Sequence, residues 1–270
     1  MHTIRTLRKM KEEGRKIVMI TAYDYPSGRF LEQAGVDVIL VGDSLGMVVL
    51  GYKDTLQVKV EDILHHTRAV RRGAADTFII ADMPYLSYHL NLEQTRLNAA
   101  RLIVEGGANA VKLEGGKPTR LEAIRAITEI EIPVVAHLGL TPQSINSMGG
   151  YLVQGKSKAD HDTILDQAKA IEQAGASLLV LEGIPEKLGD QITRELVIPT
   201  VGIGAGRLTD GQVLVYNDLL GMSENLPRFV RSYDDLKTRI PDKLTSFCRD
   251  VREGRFPGEE NVYSPCLKQS

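Results

Sequence analysis

Cysteine is scarce in this sequence, with only two residues among 270. Both lie near the C-terminal end, at Cys248 and Cys266, without a C-x-x-C spacing and without a neighbouring histidine. That pattern argues against a zinc site and against a disulfide framework, because both need paired or clustered cysteines. We therefore expect reduced thiols and a cytoplasmic protein.

Excess charge of one sign and long apolar segments are also missing. The 33 Lys and Arg residues nearly balance the 35 Asp and Glu residues, so a net charge of −2 offers no overall field for nucleic acid or an anionic membrane. No uncharged apolar run approaches the roughly 20 residues that cross a bilayer. The N-terminal segment MHTIRTLRKMKEEGRK has no apolar run and contains Glu12 and Glu13, so we expect a helix there rather than a targeting peptide.

The composition is otherwise typical of a globular protein. Hydrophobic residues make up 43% and charged residues 25%, which excludes a disordered chain, a fibre or a low-complexity repeat. A length of 270 residues allows either one α/β barrel or two smaller domains. The order of the predicted elements decides between these two possibilities.

Short apolar runs recur along the chain, and each is followed by a stretch with helical spacing of its apolar residues. This alternation is typical of a parallel sheet covered by helices. Most of the runs are continuously apolar, as expected of strands that are buried on both faces. Eight such runs are present, at residues 17–24, 36–43, 77–85, 108–115, 133–140, 177–184, 199–206 and, more weakly, 212–218.

Three junctions repeat one supersecondary pattern, at residues 32–43, 104–115 and 172–183. In each, a helix ends at a glycine and a strand follows that ends at an acidic residue. Eight strands in one chain favour a closed (β/α)8 barrel over an open doubly wound sheet, which usually has fewer strands.

We therefore predict a single domain over residues 1–270, an α/β protein of the (β/α)8 TIM barrel class with an N-terminal helix and a C-terminal helical extension. The extension starts near residue 228 and is expected to form one or two helices broken at Pro241. The Gly-, Ser- and Gln-rich segment 140–160 is predicted to lie over the C-terminal mouth of the barrel as a lid.

Polar side chains follow most of the predicted strands. In a barrel the carboxyl ends of the strands meet at one mouth, where the active sites of such enzymes lie. Asp or Ser after a strand is often only the cap of the next helix, and Asp24 and Asp218 fit a capping or turn role. Four other carboxylates at one mouth would repel one another unless a cation lay among them: Asp43, Asp82, Glu114 and Glu182. A set of candidate ligands that consists of carboxylate oxygens, with neither a cysteine nor a pair of histidines, favours Mg²⁺ over zinc.

Two further strand-end residues could act on a substrate. Lys112 lies two residues before Glu114, so both point into the barrel, where the ammonium group could hold a carboxylate or form a structural ion pair. His137 could donate to a substrate oxygen, act as acid or base, or bond to a backbone carbonyl. His65 and His66 are expected on an outer helix. The glycines of GIGAG (202–206) are compatible with a phosphate site but do not establish one.

These residues lie in motifs that resemble the ketopantoate hydroxymethyltransferase family along essentially the whole chain. The resemblance is carried by TAYDYPSG (21–28), VGDSLGMVVLGYKDTL (41–56), HTRAVRRGA (66–74), ADMPY (81–85), GANAVKLEGG (107–116), HLGLTPQS (137–144), GGYLVQG (149–155), LLVLEGIP (178–185), IPTVGIGAG (198–206), DGQVLVYNDLLG (210–221) and FPGEE (256–260).

The resemblance implies a Mg²⁺-dependent transferase of pantothenate biosynthesis. Such an enzyme moves a hydroxymethyl group from the co-substrate 5,10-methylenetetrahydrofolate to 3-methyl-2-oxobutanoate and gives 2-dehydropantoate. It implies Asp43, Asp82 and Glu114 as metal ligands, the last of them through water. It further implies Asp43, Ser44, Asp82, Lys112 and His137 as residues of the keto-acid site, and Glu182 as the general base. Large cytoplasmic homo-oligomers, typically decamers, are similarly implied.

One residue departs from the family pattern, since Asn217 stands where many relatives have His. Two other functions stay open at this stage. A Mg²⁺-dependent carbon–carbon lyase or phosphoenolpyruvate-mutase-like enzyme would share the barrel and the acidic cluster, but such enzymes usually have a lid cysteine or a phosphate-binding arginine near the mouth. A catalytically inactive scaffold barrel would leave the intact acidic set without a role.

Overall fold

Eight parallel strands form a closed barrel in the computed structural model, which describes residues 2–263. Each strand pairs with the next along the chain, and the eighth pairs with the first. This topology confirms the predicted (β/α)8 barrel. The strands are β1 (Ile17–Thr21), β2 (Val38–Val41), β3 (Phe78–Asp82), β4 (Ala110–Glu114), β5 (Val134–Gly139), β6 (Leu178–Glu182), β7 (Thr200–Ile203) and β8 (Gly211–Leu214).

Helices connect most of the strands and precede the first. They are α1 (Ile4–Glu12), α2 (Tyr25–Gln33), α3 (Leu45–Val48), α4 (Val60–Gly73), α5 (Leu92–Val104), α6 (Pro118–Thr128), α7 (Ile145–Met148), α8 (Lys158–Gln173), α9 (Glu186–Glu195), α10 (Tyr216–Leu219) and α11 (Leu236–Arg252), with 3-10 turns at Pro142–Ser144 and Glu259–Asn261. No helix lies between β7 and β8, so the predicted alternation is wrong at that junction. The connection 204–210 is too short for a helix and contains two left-handed glycines, Gly204 and Gly206.

The apolar residues of the strands divide between two layers because successive side chains point to opposite faces. One cluster fills the barrel interior, and α1 contributes Leu7 and Met10 to it beside Ile17 and Met19. The other cluster lies between the strands and the surrounding helices. The predicted N-terminal helix is therefore confirmed, and it covers the amino-terminal end of the barrel interior.

The same alternation of side chains explains why polar residues meet at one end of the barrel interior. Along β4 the inward residues are Ala110, Lys112 and Glu114, whereas Val111 and Leu113 face the helices. Ala110 therefore packs in the apolar interior, and the two polar residues follow at the carboxyl end of the strand.

The chain divides into two compact units. The first runs to Tyr216 and includes Arg228–Val230, so it contains the whole barrel. The second comprises Asn217–Pro227 and the chain from Arg231 onward. The prediction of one domain over residues 1–270 stays a prediction.

The second unit contains the predicted C-terminal helix, with one correction. Pro241 lies inside α11 and does not break it, because the helix begins at Leu236 and proline disturbs only the hydrogen bonds of its first turns. Cys248 on this helix is exposed and has a free thiol, whereas Cys266 lies outside the described residues. Asn217 contacts Met222 within this unit, with Nδ2 at 3.9 Å from Sδ. Within residues 2–263, no helix is both long and apolar enough to cross a membrane.

Candidate active site

Polar side chains from several strand ends line one cavity at the carboxyl-terminal mouth of the barrel. The cavity has a volume of about 160 Å³. All seven residues predicted for metal, substrate and catalysis line it: Asp43, Ser44, Asp82, Lys112, Glu114, His137 and Glu182. Their convergence follows from the parallel register of the strands, in which Lys112 lies opposite Asp82 and His137 lies opposite Glu114.

Asp82 lies between a backbone amide and an ammonium group. Its Oδ2 accepts a hydrogen bond from the backbone N–H of Asp43 at 2.9 Å, and its Oδ1 lies 3.0 Å from Nζ of Lys112. Gly42 permits this close approach, since a Cβ there would lie 2.9 Å from Oγ of Ser44 and 3.4 Å from Oδ2 of Asp82. A larger residue at position 42 would displace the hydroxyl of Ser44.

The buried carboxyl groups of the site outnumber the ammonium group of Lys112 that lies among them. Burial raises the pKa of Asp43 well above its usual range, and the charges of Asp82 and Glu114 add to that effect. Burial also raises the pKa of Asp82, although Lys112 counteracts it. Burial alone would lower the pKa of Lys112, but the surrounding carboxylates outweigh it and raise that pKa. A cation among the carboxylates would relieve the remaining repulsion.

His137 bridges two carboxylates. Its Nδ1 lies 3.4 Å from Oε1 of Glu114, and its Nε2 lies 3.2 Å from Oε2 of Glu182. Burial and Lys112 lower the pKa of His137, but its contacts with the two carboxylates outweigh them and raise it to about 9. The ring is therefore charged near neutral pH. Glu182 keeps 17% of its side chain exposed, against 2% for Glu114, so Glu182 is the one open to the cavity.

Gln143 was not predicted as a site residue, yet it fixes two of the carboxylates. Its side-chain Nε2 donates to Oδ2 of Asp43 at 2.9 Å and to the carbonyl of Met83 at 3.0 Å. Its backbone N–H donates to Oε2 of Glu114 at 3.0 Å. Its Oε1 accepts from the hydroxyl of Tyr88 at 2.6 Å. The segment predicted as a lid, 140–160, thus contributes directly to the acidic cluster through this glutamine.

Ser44 and the lid have further partners at the mouth. The hydroxyl of Tyr23 lies 2.8 Å from Oγ of Ser44, which fixes the serine side chain beside Asp43. Pro142 and Tyr151 of segment 140–160 also line the cavity. The lid prediction is consistent with this position.

Part of the cavity lining is apolar. It includes Leu40, Val180, Ile203 and Val213, which come from four different strands. A ligand that fits here therefore needs a polar end, towards the acids and Lys112, and a small branched apolar end. A short branched 2-oxo acid has both features.

The donor set fits a hard divalent cation. Within residues 2–263, no three His, Cys, Asp or Glu side chains are arranged to hold a metal ion among themselves. Asp43 and Asp82 could bind it directly, since Mg²⁺ commonly takes one or two protein carboxylates and completes its shell with water and substrate oxygens. Glu114, whose oxygens face the backbone N–H of Gln143 and the ring of His137, is the third carboxylate of the set.

Other residues singled out in the sequence have structural roles. Asp24 caps α2 and accepts from the backbone N–H of Ser27 at 2.8 Å, as predicted. His65 is exposed on α4, and His66 on the same helix bonds through Nδ1 to the carbonyl of Tyr23. Asp218 accepts a hydrogen bond from the hydroxyl of Ser223 at 2.5 Å, which agrees with the predicted turn role.

Solved structures with this fold belong to several enzymes of low sequence identity. A phosphoenolpyruvate phosphomutase from Streptomyces platensis subsp. rosaceus superposes with a TM-score of 0.63 at 17% identity, covering 98% of this chain and 92% of that one. A 2,3-dimethylmalate lyase of the PEP mutase/isocitrate lyase superfamily superposes with a TM-score of 0.59 at 16% identity, covering 99% and 93%. At such identities the similarity shows the barrel fold alone.

Similarity of sequence identifies the family of this chain, which similarity of fold does not. A 3-methyl-2-oxobutanoate hydroxymethyltransferase of Thermoanaerobacter sp. (strain X514) is 52% identical over 260 residues, covering 96% of this chain and 94% of the relative. The enzyme of the same name from Geobacter metallireducens (strain ATCC 53774 / DSM 7210 / GS-15) is 51% identical over 263 residues, covering 97% and 98%. The family model described as ketopantoate hydroxymethyltransferase matches residues 1–259. The chain therefore belongs to the ketopantoate hydroxymethyltransferase family.

Proposed function

We propose that this enzyme transfers a hydroxymethyl group from 5,10-methylenetetrahydrofolate to 3-methyl-2-oxobutanoate, a step of pantothenate biosynthesis. The keto acid loses its C3 proton and gains CH₂OH, and the methylene carbon leaves the two folate nitrogens. Water supplies the hydroxyl group and one proton, and this proton and the one from C3 end on the two folate nitrogens. The products are 2-dehydropantoate and tetrahydrofolate. The observation that carries the proposal is the convergence of all seven expected residues on one cavity in a chain of this family.

The cavity suits the smaller substrate. Lys112 and the hydroxyl of Ser44 offer donors to the carboxylate and the ketone oxygen of the keto acid, beside Asp43 and Asp82. The isopropyl group would lie against the apolar wall formed by residues such as Val180 and Ile203. This orientation directs C3 of the substrate, which lies between the two ends, towards Glu182.

Proton removal is assigned to Glu182. Its carboxylate is partly open to the cavity, as a base that must reach a bound substrate requires. The charged ring of His137 contacts it and holds it in one orientation, while the other ring nitrogen faces Glu114. Glu182 therefore takes the C3 proton, and His137 acts as a positioning residue for it.

A metal ion is the expected cofactor, one Mg²⁺ per subunit. Asp43 and Asp82 would hold it, with Glu114 reached through water. When bound, it would polarise the oxygens of the keto acid and make the C3 proton more acidic. Lys112 counteracts the rise in the pKa of Asp82 that burial causes, and so favours the ionised form of that carboxylate. The cytoplasmic location and the homo-oligomeric, decameric assembly stay predictions.

The lyase or mutase alternative has no specific observation in its favour. Its support is the similarity of fold, and no cysteine of the described residues lines the cavity. The scaffold alternative does not account for a complete set of buried, mutually repelling carboxylates around one lysine.

A product assay separates these functions. The purified protein is incubated with Mg²⁺, 3-methyl-2-oxobutanoate and 5,10-methylenetetrahydrofolate, and the products are followed by mass spectrometry. The proposal predicts 2-dehydropantoate in stoichiometric amount with tetrahydrofolate. Cleavage of a 2-oxo acid without folate consumption would indicate a lyase, and no turnover with either substrate would indicate a scaffold.

A further inference from the structure

The hydroxyl of Ser44 does not cap the helix that it precedes. Ser44 occupies the N-cap position of α3, but its side chain makes no capping hydrogen bond. A serine at this position commonly serves as such a cap. Its Oγ lies instead 2.8 Å from the hydroxyl of Tyr23, and Ser44 lines the catalytic cavity. The side chain is therefore held at the cavity rather than at the helix end.

Tyr23, the partner of this serine, is itself held firmly in place. Its side chain is 4% exposed and packs in the apolar cluster between the strands and the helices. Its backbone N–H donates to Oγ of Ser27 on α2 at 3.3 Å, and its carbonyl bonds to Nδ1 of His66 on α4. A carbonyl can only accept, so Nδ1 of His66 carries the proton in this contact. Side chains of two outer helices thus fix both backbone groups of Tyr23.

The positively charged donors of the cavity are already engaged with carboxylates. Nζ of Lys112 lies 3.0 Å from Oδ1 of Asp82, and the ring of His137 lies between two glutamates. The carboxylate and ketone oxygens of a keto acid can only accept hydrogen bonds, so their binding depends on donors in the lining. The hydroxyl of Ser44 is a donor whose neighbour is another hydroxyl rather than a carboxylate. Its direction therefore matters for the substrate.

Resting on the function proposed above, we propose that Tyr23 is a positioning residue that directs the proton of Ser44 at an oxygen of the bound keto acid. A hydroxyl group has one donor and two acceptor sites, so Ser44 can accept from Tyr23 and still donate its own proton. A phenol is a stronger acid than an aliphatic alcohol, which makes Tyr23 the better donor of the two. Consecutive hydrogen bonds of this kind polarise one another. Tyr23 lies outside the lining of the cavity, so it acts through Ser44.

Removal of one hydroxyl group tests this role. Tyr23→Phe keeps the buried ring but leaves the hydroxyl of Ser44 free to rotate. The kcat/KM for exchange of the C3 proton of 3-methyl-2-oxobutanoate should fall by roughly threefold to tenfold, which is the net contribution of a neutral hydrogen bond. Tyr25→Phe, two positions further and exposed, is the control and should exchange like the wild type.

A double-mutant cycle separates positioning from a merely structural role. In a Ser44→Ala background, Tyr23→Phe should cause no further loss, because the side chain through which Tyr23 acts is gone. Calorimetric titration with 3-methyl-2-oxobutanoate and Mg²⁺ measures the same cycle as dissociation constants and does not depend on the exchange rate of Ser44→Ala. The same loss from Tyr23→Phe in both backgrounds would show that Tyr23 only supports the fold, and would overturn the proposal.

His66 offers an independent variant outside the cavity lining. His66→Ala removes the donor to the carbonyl of Tyr23. It should lower kcat/KM for exchange when Tyr23 is present and have no effect in Tyr23→Phe. His66→Asn should restore part of the loss, because the amide of asparagine can donate in place of Nδ1. His65→Ala, at an exposed position on the same helix, should behave like the wild type. A loss from His66→Ala that persists in Tyr23→Phe would contradict this support.

Exchange by the wild type separates failure of this inference from failure of the proposed function. If the wild type and Tyr23→Phe exchange the C3 proton equally well, Tyr23 has no part in the reaction and the proposed function stands. If the wild type neither binds the keto acid nor exchanges its proton, the proposed function fails and this inference fails with it. A loss in Tyr23→Phe that disappears in the Ser44→Ala background supports the proposal.

Discussion

The side-chain amide of Gln143 donates a hydrogen bond to Oδ2 of Asp43 at 2.9 Å, although the two residues are separated by 100 positions in the sequence. Asp43 follows β2, whereas Gln143 belongs to the connection between β5 and α8. This bond joins the segment over the mouth to a proposed metal ligand. The order of that segment and the geometry of the acidic cluster therefore depend on each other.

Replacement of Gln143 should affect both the stability of the protein and the acidic cluster that is proposed to bind the metal. Gln143→Leu removes the donor to Asp43 and leaves the hydroxyl of Tyr88 without its acceptor, so we expect a loss of about 1–3 kcal/mol in the free energy of unfolding, together with weaker Mg²⁺ binding. Urea titration and calorimetry measure the two effects. Gln154→Leu, on the same segment, is the control. Wild-type values for Gln143→Leu would show that the bond has no consequence.

Asp82 should be required for the metal. Asp82→Ala removes one of the two carboxylates proposed to bind Mg²⁺ and leaves Lys112 buried without its 3.0 Å partner. Isothermal calorimetry should then detect Mg²⁺ binding weakened by at least about tenfold, and Asp76→Ala, at an exposed position, should bind normally. Unchanged affinity in Asp82→Ala would remove Asp82 from the ligand set.

Glu182 should be required for turnover but not for ligand binding. Glu182→Gln keeps the size of the side chain but cannot accept the C3 proton, so kcat should fall by roughly 10²-fold or more. Binding of the keto acid and Mg²⁺ should change little, since neither is assigned to this residue. Glu186→Gln, in an exposed pair with Arg207, is the control. Normal turnover in Glu182→Gln would assign the base elsewhere.

His89 should make stability depend on pH. Burial, followed by the charge of Arg120, lowers the pKa of His89 from 6.5 to about 4. The unfolded chain therefore takes up the proton first, and the contribution of this group to stability is lost as pH falls from about 6.5 to 4. Because the side chain is only half-buried, we expect protonation of His89 to lower the free energy of unfolding by about 1–2 kcal/mol over this pH range.

Urea unfolding at pH 7.5 and pH 5 measures this effect. His89→Asn should lose less stability between the two values than the wild type, while His65→Asn, at an exposed position on α4, should behave like the wild type. Equal losses in all three proteins would contradict the assignment to His89.

The sequence was sufficient to predict the barrel and the side chains that line its mouth. Continuous apolar runs mark strands buried on both faces, and the period of two along β4 points Lys112 and Glu114 to the same side. A polar residue at the end of a parallel strand can only face the mouth or cap a helix, so few alternatives had to be considered.

Residues on connecting segments were beyond prediction. Gln143 lies after β5 in a turn whose course depends on tertiary contacts, and no periodicity indicates that its side chain reaches Asp43. Tyr88 and His89 lie in the connection between β3 and α5, and their positions could not be predicted from the sequence for the same reason. Helix α11 was expected to break at Pro241, but the helix continues through this residue. The link between β7 and β8 departs from the strand–helix alternation because residues 204–210 are too few for a helix.

The most direct test of the central claim, that this site removes the C3 proton of a branched 2-oxo acid, is deuterium exchange at C3 of 3-methyl-2-oxobutanoate, followed by proton NMR with Mg²⁺ and without folate. We predict that the wild type exchanges the C3 proton, that chelation of the metal abolishes the exchange, and that Glu182→Gln does not exchange. Absence of exchange in the wild type under conditions in which it binds the keto acid would contradict the account.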